Sequence, residues 1–493
     1  MKLKLLFLSY FLITCNDLTS TSNHDIDLGN FPVEIHNNLL KYKKVNNIEG
    51  LAFALFNNKE ILYSECIGTS TYGFKIDEET LFSIQSISKN VTALAVMLAV
   101  QDGLLDLDTP ISNYLPSFKV NSCFENNPEQ SITLRMLLSH TAGFTHEAPI
   151  GNNYDYMDCS MQDHINSIME TWLKFPVGKS YSYSNLGFDL TAAIIEQLYG
   201  LRFNEYLKQK IFTPLGMLSS STEDQDVQAS QNKTEGNIPW VKKKHYSIPL
   251  IGSGAVYTNL KDFIAYNQLF MNLGQTEGEA IIDQKYLMEM FKINTINYGL
   301  GTYIDKKDDI LFVNHNGGGY GYSATLLWFP EYNLGSVILC NHPVNTFNFC
   351  FSRLEDCIKT MKASKSSLIA AEFDDLNSKY FNNKTLRDKP IPFSCNFDPA
   401  LKSNWDKYVG KYIIVTDGMD LKWYADAAHF LGFGYQKLIL FKEGELLKFK
   451  GSFGNGTLRE FEPGLFFTQD NEVLNLNIEQ PAYRNIKIQK RRN

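Results

Sequence analysis

Strand-like sequence occurs at two places far apart in this chain, and that separation limits the fold more than any other feature. Near the start, "GLAFALFNN" and "EILYSECIG" read as two strands joined by a turn at Asn57 and Asn58. Much later come "DDILFVNHNGG", "YSATLLWFPEYN" and "LGSVILCNH", then a helix, "NTFNFCFSRLEDCIKTMKAS". Residues 105–250 lie between and read as mainly helical. "SITLRMLLSHTAGF" and "DLTAAIIEQLYGLRFNEYLKQKIF" carry apolar residues at helical spacing. The economical arrangement is an α/β (α+β) fold. One antiparallel sheet is built from both ends of the domain, with a helical region beside it.

That domain is expected over residues 30–365. Residues 366–400 are polar and carry Pro390 and Pro392, which predicts a linker. From 401 to 493 the texture changes. "WDKYVGKYIIV", "KLILFKEG", "ELLKFKGSF" and "GLFFTQDNEVLNLNI" are short alternating runs that predict a small all-β, barrel-like domain. Charged residues are 20% of the chain, the formal net charge is -8 and no basic block stands out, so a nucleic-acid partner is not expected.

The chain opens "MKLKLLFLSYFLITC". Two lysines precede about ten apolar residues, the length of a signal-peptide core and half of a membrane span of about twenty. Export is therefore expected, to a periplasm or to the medium. Residues 1–15 also resemble a bacterial lipoprotein leader ending at Cys15, with Thr14 where Gly, Ala or Ser is usual. On that reading Cys15 is lipidated and tethers the protein to a membrane; on the other it is an ordinary leader cysteine. Seven cysteines remain, an odd number, so at least one thiol stays outside intrachain disulfides. Cys123 and Cys159, both in loop-like sequence, are the expected pair. No cysteine or histidine cluster has metal spacing, and neither a metal nor another cofactor is called for.

"FSIQSISKN" places Ser86 three residues before Lys89 at the head of an apolar helix, "VTALAVMLAV". Residues three apart share a helix face. A serine in the first turn feels the positive end of the helix dipole, and a desolvated lysine beside it has a lowered pKa and takes its proton. The spacing alone favours a capping serine and a solvated lysine. Ser230 and Lys233 repeat the spacing in "EDQDVQASQNKTEG", which has no apolar face. Context, not spacing, singles out Ser86.

Two further stretches follow in order. "FPVGKSYSYSNLGFDL" holds Tyr183-Ser184-Asn185 just before a helix, and "VNHNGGGYGYSATLLWF" holds His315-Asn316-Gly317-Gly318 between two strand-like runs. Glycines there let a substrate backbone approach and leave amide N–H groups to point at it. Together the three resemble the serine β-lactamase and penicillin-binding-protein superfamily, whose signature is Ser-x-x-Lys, then a serine or tyrosine motif ending in Asn, then a glycine-bearing third motif. The class C branch and related D-alanyl-D-alanine peptidases and esterases have Tyr-x-Asn second. "GLLDLDTPISNYLPSF", "ITLRMLLSHTAGF", "GSGAVYTNLKDF" and "GYSATLLWFPEYNLGSVILCN" look like the same family.

The resemblance implies a β-lactamase/transpeptidase-like fold and a role for each motif residue. Ser86 would be the acylated nucleophile, and Lys89 and Tyr183 the proton-transfer pair. Asn185 would bond the substrate amide. His315 and Gly317 would line the pocket, and the N–H groups of Ser86 and Gly318 would form the oxyanion hole. Val177 stands where proline is frequent and Gln85 where a small residue is frequent, but neither removes a catalytic group. His315 stands where a lysine would hold a substrate carboxylate. With a reference pKa of about 6.5 it is mostly neutral at pH 7, so strong carboxylate selection is not expected. Only if the substrate ends in a carboxylate is a protonated His315 expected to help hold it. The implied activity is that of a serine hydrolase on a small-molecule or peptide substrate with an amide, ester or β-lactam group. A D-alanyl-D-amino-acid carboxypeptidase or an esterase leads. A class C-type β-lactamase and a non-catalytic penicillin-binding-type ligand sensor are the alternatives.

Overall fold

The computed structural model describes residues 30–381 except 71, 153–158, 238–249, 277–278, 364 and 366. Beyond these it describes 405–414, 437–444, 446–451, 454–462, 465–468, 473–476, 482–483 and 486–490. The expected leader and Cys15 lie outside the described residues.

Eight strands precede residue 341. They are β1 (Gly50–Phe56), β2 (Ile61–Gly68), β3 (Phe82–Ser83), β4 (Tyr257–Thr258), β5 (Tyr303–Lys307), β6 (Ile310–Gly319), β7 (Tyr322–Phe329) and β8 (Leu334–Cys340). Six of them form one sheet in the order β2-β1-β8-β7-β6-β5, while β3 and β4 pair separately. The two ends of the domain meet at β1 and β8, which run antiparallel with Ala52 opposite Leu339 and Ala54 opposite Val337. The sheet is thus assembled as the sequence predicts.

Strand β1 is buried along its whole length, because each face of the sheet has its own core. Side chains alternate across a strand. Leu51, Phe53 and Leu55 enter a core under helix α1 (Phe31–Val45) and the helix Phe347–Met361. Ala52, Ala54 and Phe56 enter the core of the helical region on the other face. The same division runs through β7, with Leu327 and Phe329 on one side and Leu326 and Trp328 on the other. Each fully buried Leu or Phe stabilises such a core by roughly 1.5–3 kcal/mol.

The helical region contains α2 (Ser88–Gln101), α3 (Leu134–Leu138), α4 (Met161–Met169) and α5 (Leu186–Tyr199). Helix α2 is buried on every side, from Ser88 through Ala99, which explains why its sequence is apolar all round. Residues 367–381, expected in a linker, form a helix instead. Its Phe373 is buried between Phe291 and Trp328, with ring centroids 5.2 and 5.7 Å away. The polar residues around Phe373 concealed that anchor.

Eight strands between Gly410 and Lys490 close into a barrel around Tyr412, Leu440, Phe449, Phe466 and Leu474. The barrel's Phe461 and Phe467 pack edge-on against Trp172 of the helical region. Cys123 is disulfide-bonded, but Cys159 keeps its thiol, so the expected pair between them does not form. Among the described residues no helix is long and apolar enough to cross a membrane.

Candidate active site

Strand β3 leads into a tight 3-10 turn, Gln85–Ile87, that runs on into α2. Ser86 therefore sits just before the α-helix, not in its first α-turn. Gln85 has φ +49°, a left-handed conformation that costs a residue with a Cβ roughly 1–2 kcal/mol. Its side-chain Nε2 donates to Ser83 Oγ at 2.7 Å, and Ile87 N donates to Ile84 O at 3.1 Å. These bonds hold the strained turn that presents Ser86.

Lys89 is fully buried, which removes the solvated-lysine reading. Its Nζ lies 2.7 Å from Asn185 Oδ1, 2.9 Å from Ser253 O and 3.3 Å from Ser86 Oγ. The first two atoms only accept. A neutral amine has two protons, and once these go to Asn185 and Ser253 its lone pair is left for the Ser86 hydroxyl. Burial pulls the Lys89 pKa down to about 7, against the Asp189 and Glu147 carboxylates, which raise it. The second Ser-x-x-Lys pair is built differently. Lys233 Nζ donates to the backbone carbonyls of Gln228 and Ser230 at 2.9 and 2.8 Å, so it ties down a loop.

The Tyr183 hydroxyl is near enough to Ser86 for that side chain to lower its pKa, and Lys89 Nζ lies 4.9 Å from its ring centroid. Burial raises the Tyr183 pKa far above the ordinary phenol, which outweighs the lowering effect of Ser86. The side chain is a neutral phenol. Its backbone is clamped by His140. Ser182 N donates to His140 O at 2.9 Å and Ser184 N to His140 Nδ1 at 3.1 Å, with the imidazole packed on the Tyr183 ring at 4.3 Å. His140 is itself left-handed, φ +59°, and burial holds it neutral. Asn185 caps α5; its Nδ2 donates to Glu147 Oε1 at 3.2 Å, which fixes its Oδ1 toward Lys89. Glu147 in turn lies 2.7 Å from His146 Nδ1.

His315, Gly317 and Gly318 lie on β6 itself and not in the turn that follows. The partner β5 ends opposite Asn314, so His315–Gly319 run past it toward the Ser86 turn. A Cβ on Gly317 would stand 2.0 Å from Ile84 O, so only glycine lets the strand pass there. A Cβ on Gly318 would meet nothing within 4 Å. His315 Nδ1 donates to Asn316 O at 2.9 Å, leaving Nε2 to accept the Tyr298 hydroxyl at 3.1 Å. Burial, and then the charge of Lys89, drives the His315 pKa down to about 3. The conditional expectation of a protonated His315 is therefore corrected: the imidazole is neutral, and its neighbours Tyr298 and Tyr303 are uncharged phenols.

The fold thus brings Ser86, Lys89, Tyr183 and Asn185 together, with β6 alongside. Sequence reasoning missed His140, Glu147, Asp189 and Ser253. The first two lie in "SHTAGFTHE", whose two histidines and one acid in nine residues were the available signal. Asp189 and Ser253 carried none, since an aspartate in an amphipathic helix and a serine in a glycine loop are ordinary.

A sheet built from both ends of the domain, with a Ser–Lys pair and a tyrosine at its helical side, defines the serine β-lactamase and penicillin-binding-protein class. A family model described as β-lactamase matches residues 37–353, and the chain belongs to that family. Protein flp of Staphylococcus aureus (strain NCTC 8325 / PS 47) is 23% identical over 304 residues, 60% of this chain and 60% of that relative. The chain thus spans less than two thirds of the staphylococcal relatives it matches. Penicillin-binding protein 4* of Bacillus subtilis (strain 168) is 24% identical over 381 residues, 72% of this chain and 77% of the relative. Among solved structures, the octameric penicillin-binding protein homologue from Pyrococcus abyssi is similar with a TM-score of 0.55. It is 19% identical, covering 94% of this chain and 96% of that one. The β-lactamase/D-alanine carboxypeptidase from Pseudomonas syringae gives 0.57 at 19% identity, covering 66% of this chain and 99% of its own.

Proposed function

We propose that this protein is a serine hydrolase that cleaves an ester or an internal amide through an acyl-enzyme on Ser86. The observation that carries this reading is the aim of the Lys89 lone pair at Ser86 Oγ, set by two acceptor-only partners. In acylation the Ser86 proton passes to Lys89 while Oγ bonds the acyl carbon. The oxyanion is taken by the N–H groups of Ser86 and Gly318. Tyr183, a neutral phenol beside Ser86, gives a proton to the leaving amine or alkoxide as its bond to carbon breaks, and Lys89 replaces that proton. Water then enters by the reverse path and frees the acid. The histidine and tyrosines along β6 offer hydrogen bonds but no positive charge, which favours a substrate that is uncharged there. A carboxypeptidase or β-lactamase substrate brings a carboxylate to that wall and binds less well.

A substrate panel tests the reading. Short-chain esters and D-peptides capped as amides should be turned over with kcat/KM at least about tenfold above the same peptides with free carboxylates, a difference of about 1.4 kcal/mol. Faster turnover of the free acids, or of a penicillin, would reverse the assignment.

A further inference from the structure

Beneath Lys89 lies a buried charged pair that takes no direct part in acyl transfer. Asp189 is one turn into α5 from Asn185, so the two project from one side of the helix. Asp189 is fully buried. Its Oδ1 accepts the backbone N–H groups of Gly252 and Ser253 at 3.0 and 2.9 Å. Its Oδ2 accepts the Ser253 hydroxyl at 3.1 Å and faces His164 Nε2 at 3.2 Å. Ser253 is the residue whose carbonyl receives Lys89. The Gly252 carbonyl accepts the Thr92 hydroxyl at 2.6 Å, and a Cβ on Gly252 would stand 2.2 Å from Phe188 O. The 252–253 peptide is locked between α2 and α5, and Asp189 decides where the Ser253 carbonyl points.

His164, on α4, is equally buried. Its Nδ1 lies 2.6 Å from Ile150 O, which only accepts, so Nδ1 carries a proton. Its Nε2 faces a carboxylate that already accepts three other donors and is therefore ionised. Two N–H donors on one ring make an imidazolium. Burial, the largest single influence, opposes that charge, but the Asp189 bond and charge, the Ile150 carbonyl and the Glu147 charge together outweigh it, and the His164 pKa is raised. Without this cation, Asp189 would leave an uncompensated negative charge under Lys89, a costly arrangement in a dry interior.

We propose that Asp189 and His164 are positioning residues for Lys89: Asp189 aims the Ser253 carbonyl that fixes the lysine nitrogen, and His164 balances the Asp189 charge so that Lys89 can lose its proton. The inference rests on the reading of Ser86 and Lys89 as the acylation pair. The titratable groups that face Lys89 are Tyr183, Glu147, Asp189, His140 and His315; of the two carboxylates, Asp189 is paired with the buried His164 and Glu147 with the half-exposed His146.

The test follows the rate at which a fluorophosphonate labels Ser86 as a function of pH, read by intact mass. The wild-type rate should rise through an acid limb as Lys89 deprotonates. Asp189→Asn removes the negative charge and keeps the two backbone N–H bonds to Oδ1; its Nδ2 donates to a now neutral His164 and can no longer accept the Ser253 hydroxyl, which must turn away or accept from it. Asp189 acts on Lys89 more directly than His164 does, so losing both charges should still move the limb down, by up to about one pH unit. His164→Gln leaves Asp189 unbalanced, and the limb should move up by a similar amount. A purely structural role would lower thermal stability and leave the limb in place. The proposal is overturned if folded Asp189→Asn shows an unmoved limb, or if both variants shift it the same way. If His164→Gln does not fold, the Asp189→Asn limb decides alone. Wild-type protein that takes no label would instead defeat the Ser86 reading, so the two failures are distinct.

Discussion

A buried lysine needs an acceptor for every proton it holds, and at Lys89 that requirement decides the chemistry. Two short bonds go to atoms that can only accept, and the longer contact goes to Ser86. Protonated Lys89 fills all three; neutral Lys89 is a base aimed at one hydroxyl. Only the neutral form can take the serine proton. With its pKa near 7, kcat/KM should therefore fall as pH drops below about 7 and level off above it. A pH–rate profile for a neutral ester checks this, because His315, held at about 3, does not titrate in that range. Tyr183→Phe should lower kcat by about a hundredfold or more, the scale of a lost general acid. It should do so with little change in thermal stability, since the ring that packs on His140 stays. Near-normal turnover in that variant would take the tyrosine out of the mechanism. Of these groups the sequence revealed the motif residues but not their partners. His140 and Glu147 act through contacts with Tyr183 and Asn185 that are more than thirty residues away in the chain. No local pattern encodes such contacts.

The elements that carry the motifs are held together by backbone as much as by side chains. Strand β6 outruns β5 after Asn314 and passes against the Ser86 turn at Gly317. Gly317→Ala must push the strand or the turn aside, and overpacking of this kind costs about 1–3 kcal/mol. It should lower the melting temperature and slow Ser86 labelling together. Gly318→Ala, one residue on, meets no atom within 4 Å and should leave the melting temperature unchanged. Equal destabilisation by the two would show that β6 does not abut the turn. The sequence placed His-Asn-Gly-Gly between two strand-like runs, and the structure puts it on the first of them. The strand-like run "DDILFVNHNGG" already reached these glycines, which weaken a strand signal; packing against Ile84 keeps them extended. Helix α2 was legible for the opposite reason, since a helix buried on all sides needs an apolar residue at nearly every position.

At the scale of the whole molecule, the separation of strand-like runs carried most of the fold. One sheet made from both ends of a domain forces β1 beside β8 and leaves the helical region on the face where the motifs collect. The barrel was legible too, because its strands alternate. The helix at 367–381 was not, because the polar sequence and prolines that follow it hid an apolar face that buries Phe373 and Tyr380, and because its Asn377 bonds to Ile293 and Phe291, far away in the chain. The disulfide of Cys123 was misassigned, since loop-like sequence says nothing of which thiols approach. The same packing separates the chain's two Ser-x-x-Lys pairs: Lys89 reaches a serine hydroxyl, whereas Lys233 reaches only carbonyls. That contrast is the central claim and can be measured directly. Wild-type, Ser86→Ala and Ser230→Ala proteins are treated with a fluorophosphonate and read by intact mass and peptide mapping. One adduct on the Ser86 peptide is expected in wild type and in Ser230→Ala, and none in Ser86→Ala. An adduct that survives in Ser86→Ala, or is lost in Ser230→Ala, would contradict the account.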